Sequence, residues 1–102
     1  MKVIRGRSLP SPCSIADREP RITSVGLVQI KWFESADAHA EQLTEGVSAC
    51  AEAGANVVFL PELTLSRYPA DTRPEGPADA SAEDLENGPS LALAKTLAQS
   101  CD

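Results

Sequence analysis

Glu62 stands where a carboxylate can do chemistry: it follows Pro61 and the run Val57-Val58-Phe59-Leu60, which is apolar with β-branched and aromatic character. Such a run reads as a strand covered on both faces in a parallel sheet. Proline ends it, because it lacks the N–H that a central ladder needs and biases Leu60 towards extended backbone. Glu62 is therefore expected at the carboxyl end of a strand, the edge where open α/β sheets hold their ligands. Arg67 and Tyr68 follow with a cation and a hydroxyl that could orient this carboxylate or meet an acidic substrate. The plainer expectations are a capped or paired Glu62, a surface Arg67, and a Tyr68 packed under its own loop.

The other chemically capable side chains form no comparable cluster. His39 has no partner at metal-ligand spacing and reads as a helix-surface residue, since zinc sites need several convergent ligands. Cys13, Cys50 and Cys101 are odd in number and lack metal-type spacing, which favours a reducing cytoplasm over a disulfide scaffold. Trp32 and Phe33 read as core or staple residues, because no basic groove accompanies them for stacking on single-stranded nucleic acid.

The elements that must position Glu62 form a βαβ pattern. Ile22, Val25, Leu27, Val28 and Ile30 mark a first strand over residues 23–30, in which Gly26 signals a close backbone approach. A helix over residues 35–53 follows, with Ser35 as its cap and Asp37 in its first turn. Its apolar stripe is Ala36, Ala40, Leu43, Val47, Cys50 and Ala51, and Gly54 closes it. A right-handed crossover then sets residues 56–60 parallel to the first strand. After a loop with Tyr68-Pro69, Arg73-Pro74 and Gly76-Pro77, Asn87-Gly88-Pro89 opens a second helix with Leu91, Ala94, Leu97, Ala98 and Cys101 on its apolar face. The acidic stretch 79–86 reads as a solvated connector in the rim beside Glu62.

In this order, the strand ending Val28-Gln29, the amphipathic helix, Gly54-Ala55-Asn56-Val57-Val58-Phe59-Leu60-Pro61-Glu62-Leu63, Tyr68-Pro69 and Gly88-Pro89 resemble the nitrilase superfamily of carbon–nitrogen hydrolases. The resemblance covers residues 23–101. It implies an α/β fold, part of a four-layer α-β-β-α sandwich, and a Glu-Lys-Cys triad in which Glu62 matches the general base. In that chemistry the glutamate takes a thiol proton, the thiolate attacks a nitrile or amide carbon, and the lysine stabilises oxyanion charge. The family uses no metal or organic cofactor and often assembles from dimers, so a homo-oligomer acting on a small amide or nitrile is implied. The family's lysine and cysteine lie far downstream of its glutamate. No residue here matches them: Cys50 is on a helix stripe, Cys13 is among prolines, Cys101 ends a helix, and Lys95 projects from that helix. Residues 23–102 are thus expected to be the amino-terminal part of such a domain, inactive in isolation.

At 102 residues, few elements are available to enclose a core, and small domains bury a lower fraction of their surface. Residues 1–22 carry Lys2, Arg5, Arg7, Arg18 and Arg21 against Asp17 and Glu19, a balance of +3 that leaves −9 for the remainder of a chain of net charge −6. The acidic body offers no footprint for nucleic acid. The basic segment, with Pro10, Pro12 and Pro20 and no apolar h-region, reads as a disordered extension. No run reaches membrane-spanning length. Two other function classes fit a βαβ unit. A nucleotide-binding module would need a glycine-rich turn where Lys31-Trp32-Phe33-Glu34-Ser35 stands. A noncatalytic fragment could instead complete its sheet with another chain.

Overall fold

The computed structural model describes residues 1–7, 23–71, 73, 75–77 and 82–101. They form β1 (Val25–Leu27), α1 (Ala36–Glu52), β2 (Val57–Phe59), a 3₁₀ turn (Pro69–Asp71) and α2 (Pro89–Ser100). The two strands are parallel, with Val25 opposite Val57 and Leu27 opposite Phe59, as the crossover predicts. Both are shorter than their apolar runs, although Val28 N–H still donates to the Phe59 carbonyl at 2.9 Å. Cys13 and most of the basic extension lie outside the described residues. Residues 1–7 have neither helix nor strand, and the Met1 ammonium donates to Glu45 of α1 at 2.8 Å. No helix among the described residues is long and apolar enough to cross a membrane.

Local chemistry sets the ends of α1. The Ser35 hydroxyl accepts from Ala38 N–H at 3.3 Å, and Asp37 sits in the first turn against the positive end of the helix dipole. Gly54 adopts φ 88°, a left-handed conformation that turns the chain so that Ala55 N–H returns to the Cys50 carbonyl at 3.0 Å.

One face of the sheet is covered. Leu43, Val28, Val47 and Leu97 are buried together, with Ile30, Val58, Leu60 and Leu93 packed around them. Each buried aliphatic side chain stabilises by roughly 1.5–3 kcal/mol, so this is a small core. The opposite face carries Val25, Leu27, Val57 and Phe59, all exposed. Coverage of β2 on both faces is therefore not met within the described residues: the helices lie on one side only. In α2, Leu91 points outward and Leu93 takes its inward place, because Leu93 and Leu97 are one turn apart on the stripe that meets α1. Ala98 is exposed, whereas Cys101 packs against the core.

Two glycines let α1 sit close to β1. A Cβ on Gly26 would fall 2.7 Å from both Cβ and Sγ of Cys50, and one on Gly46 would fall 2.6 Å from Cγ1 of Val28. We predict that Gly26→Ala destabilises the chain by about 1–3 kcal/mol through overpacking. Gly76→Ala, at a position with open space around it, serves as the control and stays within about 0.5 kcal/mol of wild type. Urea unfolding of the three proteins checks this, and equal midpoints would contradict it.

Candidate functional site

Pro61, two residues past β2, is half-buried, and Glu62 follows it, exposed, at the carboxyl edge of the sheet. Its carboxylate makes no hydrogen bond or ion pair with any described residue. The capped or paired state expected of an ordinary strand-end carboxylate is thus not met among the described residues. The next residue, Leu63, has φ 55°, in the left-handed region that L side chains with bulk rarely occupy. The turn closes on itself: Thr64 Oγ1 donates to the Pro61 carbonyl at 2.9 Å, and Ser66 N–H donates to the Leu63 carbonyl at 3.0 Å.

The loops after both parallel strands leave the same edge, and one contact joins them. Arg67 Nη1 donates to Glu34 Oε1 at 3.3 Å, but both side chains are well exposed and such surface pairs contribute little. Arg67 is a surface residue, as expected. Tyr68 is not packed under its loop: it is exposed, and its carbonyl accepts from Asp71 N–H in the 3₁₀ turn. Lys31 Nζ stands 5.1 Å from the centre of the Phe33 ring. Lys95 is exposed on α2. Among the described residues no group of three or more His, Cys, Asp or Glu could hold a metal ion.

His39 overturns its reading as a surface residue. It is buried to 5% exposure, its Nε2 lies 2.9 Å from the Thr64 carbonyl, and the Trp32 ring sits over it with centroids 4.6 Å apart. The physical reason is helical spacing. His39 precedes Leu43 by one turn and Gly46 by two, so it lies on the stripe that packs on the sheet. That spacing was the available signal. Trp32 and Phe33 are half-buried and pack against this histidine, in line with their reading as core residues.

A groove of about 420 Å³ opens on the helical side of the sheet, between α1, β2 and α2, with Val47, Val58, Leu60, Leu97 and Cys101 in its walls. Neither Glu62 nor Arg67 nor Tyr68 lines it. It is an open gap beside α2 whose lining includes Asn56 as well as apolar side chains, and no charged residue lines it.

Part of the acidic rim has a structural task that its composition hides. Glu83 accepts from Ser90 N–H at 3.0 Å and from its hydroxyl at 2.9 Å, supplying the cap that Gly88 cannot give α2. Asp84 Oδ1 accepts from the backbone N–H groups of Asn87 at 2.7 Å and Glu86 at 3.0 Å. These bonds favour the charged carboxylate and hold Asp84 below its ordinary pKa of 3.8.

Comparison with protein-family models, with curated proteins and with solved structures gave no match to this chain.

The Asp84 contacts predict an acid-side effect with a definite sign. A carboxylate held below its ordinary value contributes its full stabilisation above pH 3.8, and loses it as pH falls through the lowered folded value. The amide resonances of Glu86 and Asn87 should therefore titrate together with a midpoint below 3.8, and Asp84→Asn should abolish that titration. A midpoint at or above 3.8 in an NMR pH series would contradict the assignment.

Proposed function

We propose that this chain is the amino-terminal portion of a hydrolase acting on nonpeptide carbon–nitrogen bonds, amide, nitrile or carbamoyl, with Glu62 as general base. The observation that carries the reading is the delivery by Pro61, at the carboxyl edge of parallel strands, of an exposed carboxylate with no partner among the described residues. That edge is the ligand-binding side of an open α/β sheet. The residue order shared with the nitrilase superfamily supplies the chemistry. Glu62 accepts a thiol proton, and the thiolate attacks the electrophilic carbon. A lysine ammonium stabilises the developing negative charge. The amine of an amide or carbamoyl substrate then leaves with a proton returned from the glutamate, whereas the thioimidate formed from a nitrile adds water before ammonia leaves. Water then hydrolyses the thioester, with Glu62 again taking the proton. No described cysteine stands where the thiol of such a triad would, because Cys50 is packed against Gly26 and Cys101 ends α2.

The uncovered sheet face supports the same reading. In an α-β-β-α sandwich a second sheet packs on the first, and Val25, Leu27, Val57 and Phe59 present an apolar surface of that kind. It also favours a second reading, a noncatalytic fragment that joins its sheet to another chain. A nucleotide-binding module is not favoured. Trp32 and Phe33 pack on His39 where a phosphate loop would need bare backbone.

Two measurements separate these readings. In the protein made from its complete reading frame, Glu62→Gln should lower amide or nitrile turnover by about a hundredfold to ten-thousandfold, the usual range for a general base. Its thermal unfolding should stay near wild type, as should both properties of the control Glu52→Gln, an exposed carboxylate at the far end of α1. Near-normal turnover by Glu62→Gln would sink the assignment. The chain of residues 1–102 alone should show no turnover. Activity that survives replacement of all three cysteines would contradict the thiol chemistry, and activity lost only with Cys101→Ala would make that terminal thiol the nucleophile.

A further inference from the structure

The turn that carries Glu62 packs Leu65 against the core and is hydrogen-bonded from beneath by one side chain distant in sequence. His39 is nine-tenths or more buried on α1, and its Nε2 lies 2.9 Å from the carbonyl oxygen of Thr64, two residues beyond Glu62. A carbonyl oxygen only accepts, so Nε2 must carry the proton, and the lone pair of the neutral ring is then on Nδ1. Among the described residues the buried side-chain nitrogens without a partner are His39 Nδ1 and Trp32 Nε1. One is an acceptor and the other a donor, in rings whose centroids are 4.6 Å apart. In the neutral ring, the bond to Thr64 selects the Nε2–H tautomer.

The turn has reason to need such a tie. Leu63, between Glu62 and Thr64, holds φ 55°, a conformation that persists in a bulky L residue only where its surroundings enforce it. The bonds from Thr64 Oγ1 to Pro61 and from Ser66 N–H to Leu63 close the turn but do not attach it to the body of the fold. Leu65 attaches it by apolar packing on the core, and the bond to His39 attaches it by a directional contact that spans 25 residues and starts from a buried position on α1.

We propose that His39 is a positioning residue for Glu62. As the Nε2–H tautomer, with Trp32 over its ring, it grips the Thr64 carbonyl and fixes the height and direction of the carboxylate at the strand end. The proposal rests on the reading of Glu62 as general base. His39 touches no reacting atom in this scheme. It acts by keeping the base within reach of the proton it removes, where a misplacement of about 1 Å can cost on the order of a hundredfold in rate.

The test uses two unbranched replacements of similar reach. Glutamine keeps an N–H donor for Thr64, and methionine keeps the bulk without the donor. In the protein made from its complete reading frame, His39→Met should lower kcat about tenfold to a hundredfold with KM within about twofold. His39→Gln should restore kcat to within about threefold of wild type. The chain has a single histidine, so the ring ¹⁵N spectrum of residues 1–102 reports this residue alone and should show protonated Nε2 and unprotonated Nδ1. A protonated Nδ1, or a ring averaging between tautomers, overturns the proposal. Wild-type kcat in His39→Met, with turnover abolished by Glu62→Gln, overturns the positioning role while the general base stands. Retained turnover in Glu62→Gln overturns both. If His39→Met does not fold, the tautomer spectrum and the kcat of His39→Gln decide: a hundredfold loss with the donor present would also overturn it.

Discussion

The close seating of α1 on β1 is the constraint from which the rest of the structure follows. It is made reciprocally. Gly26 of the strand gives room to Cys50 of the helix, and Gly46 of the helix gives room to Val28, just past the strand. In a parallel βαβ unit the helix runs back against the strands, so its carboxyl end lies beside the strand starts and its amino end beside the strand ends. Cys50 accordingly meets Gly26 near the beginning of the sheet, and His39, three turns earlier, meets Thr64 past its end. A side chain at either glycine would lift the helix and weaken both the burial of Leu43 and the reach of His39.

Carboxylates in this chain divide by what they touch. Glu83 and Asp84 are spent on the start of α2, Glu34 pairs with Arg67, and Glu45 accepts from the amino terminus. The amino terminus and a hydrogen bond from Gln42 lower the pKa of Glu45, as the amides of Glu86 and Asn87 do for Asp84. Glu62, like Glu41, Glu52 and Asp71, has no partner for its carboxylate among the described residues, and it sits on a turn tied to α1 by His39.

Much of this fold was legible in the sequence because local chemistry set it. Ser35, Gly54 and Gly88-Pro89 bounded the helices at the residues observed, and the short link after Gly54 required parallel strands. Gly26 signalled a close approach that the structure places against Cys50. What stayed hidden was tertiary. His39 carries a polar label, and α1 is so rich in alanine that a stripe through Ala36 and Ala40 fits its periodicity as well as one through His39 and Leu43. Glu83 looks like any solvated acid until Ser90 folds back towards it seven residues later. Leu91 and Leu93 are both apolar, and only the position of α2 on α1 decides which turns inward. At the candidate site, the proline and the carboxylate could be read directly, whereas the histidine under them could not.

The exposed face of the sheet bears on Glu62 as well. Val57 and Phe59 point away from the helices, and Val58 and Leu60 point towards them, so the strand that delivers Glu62 is packed on one side and bare on the other. A strand gripped on one face can tilt about its ladder, and a tilt at Phe59 moves everything beyond Pro61. His39 restrains the turn from the helical side alone. Whatever surface covers Val25, Leu27, Val57 and Phe59 would complete that restraint from the other side, and would also remove apolar area from water at roughly 25 cal/mol per Å². Covering that face and fixing the position of Glu62 are linked, because the same two strands supply the apolar face and the edge from which Glu62 emerges.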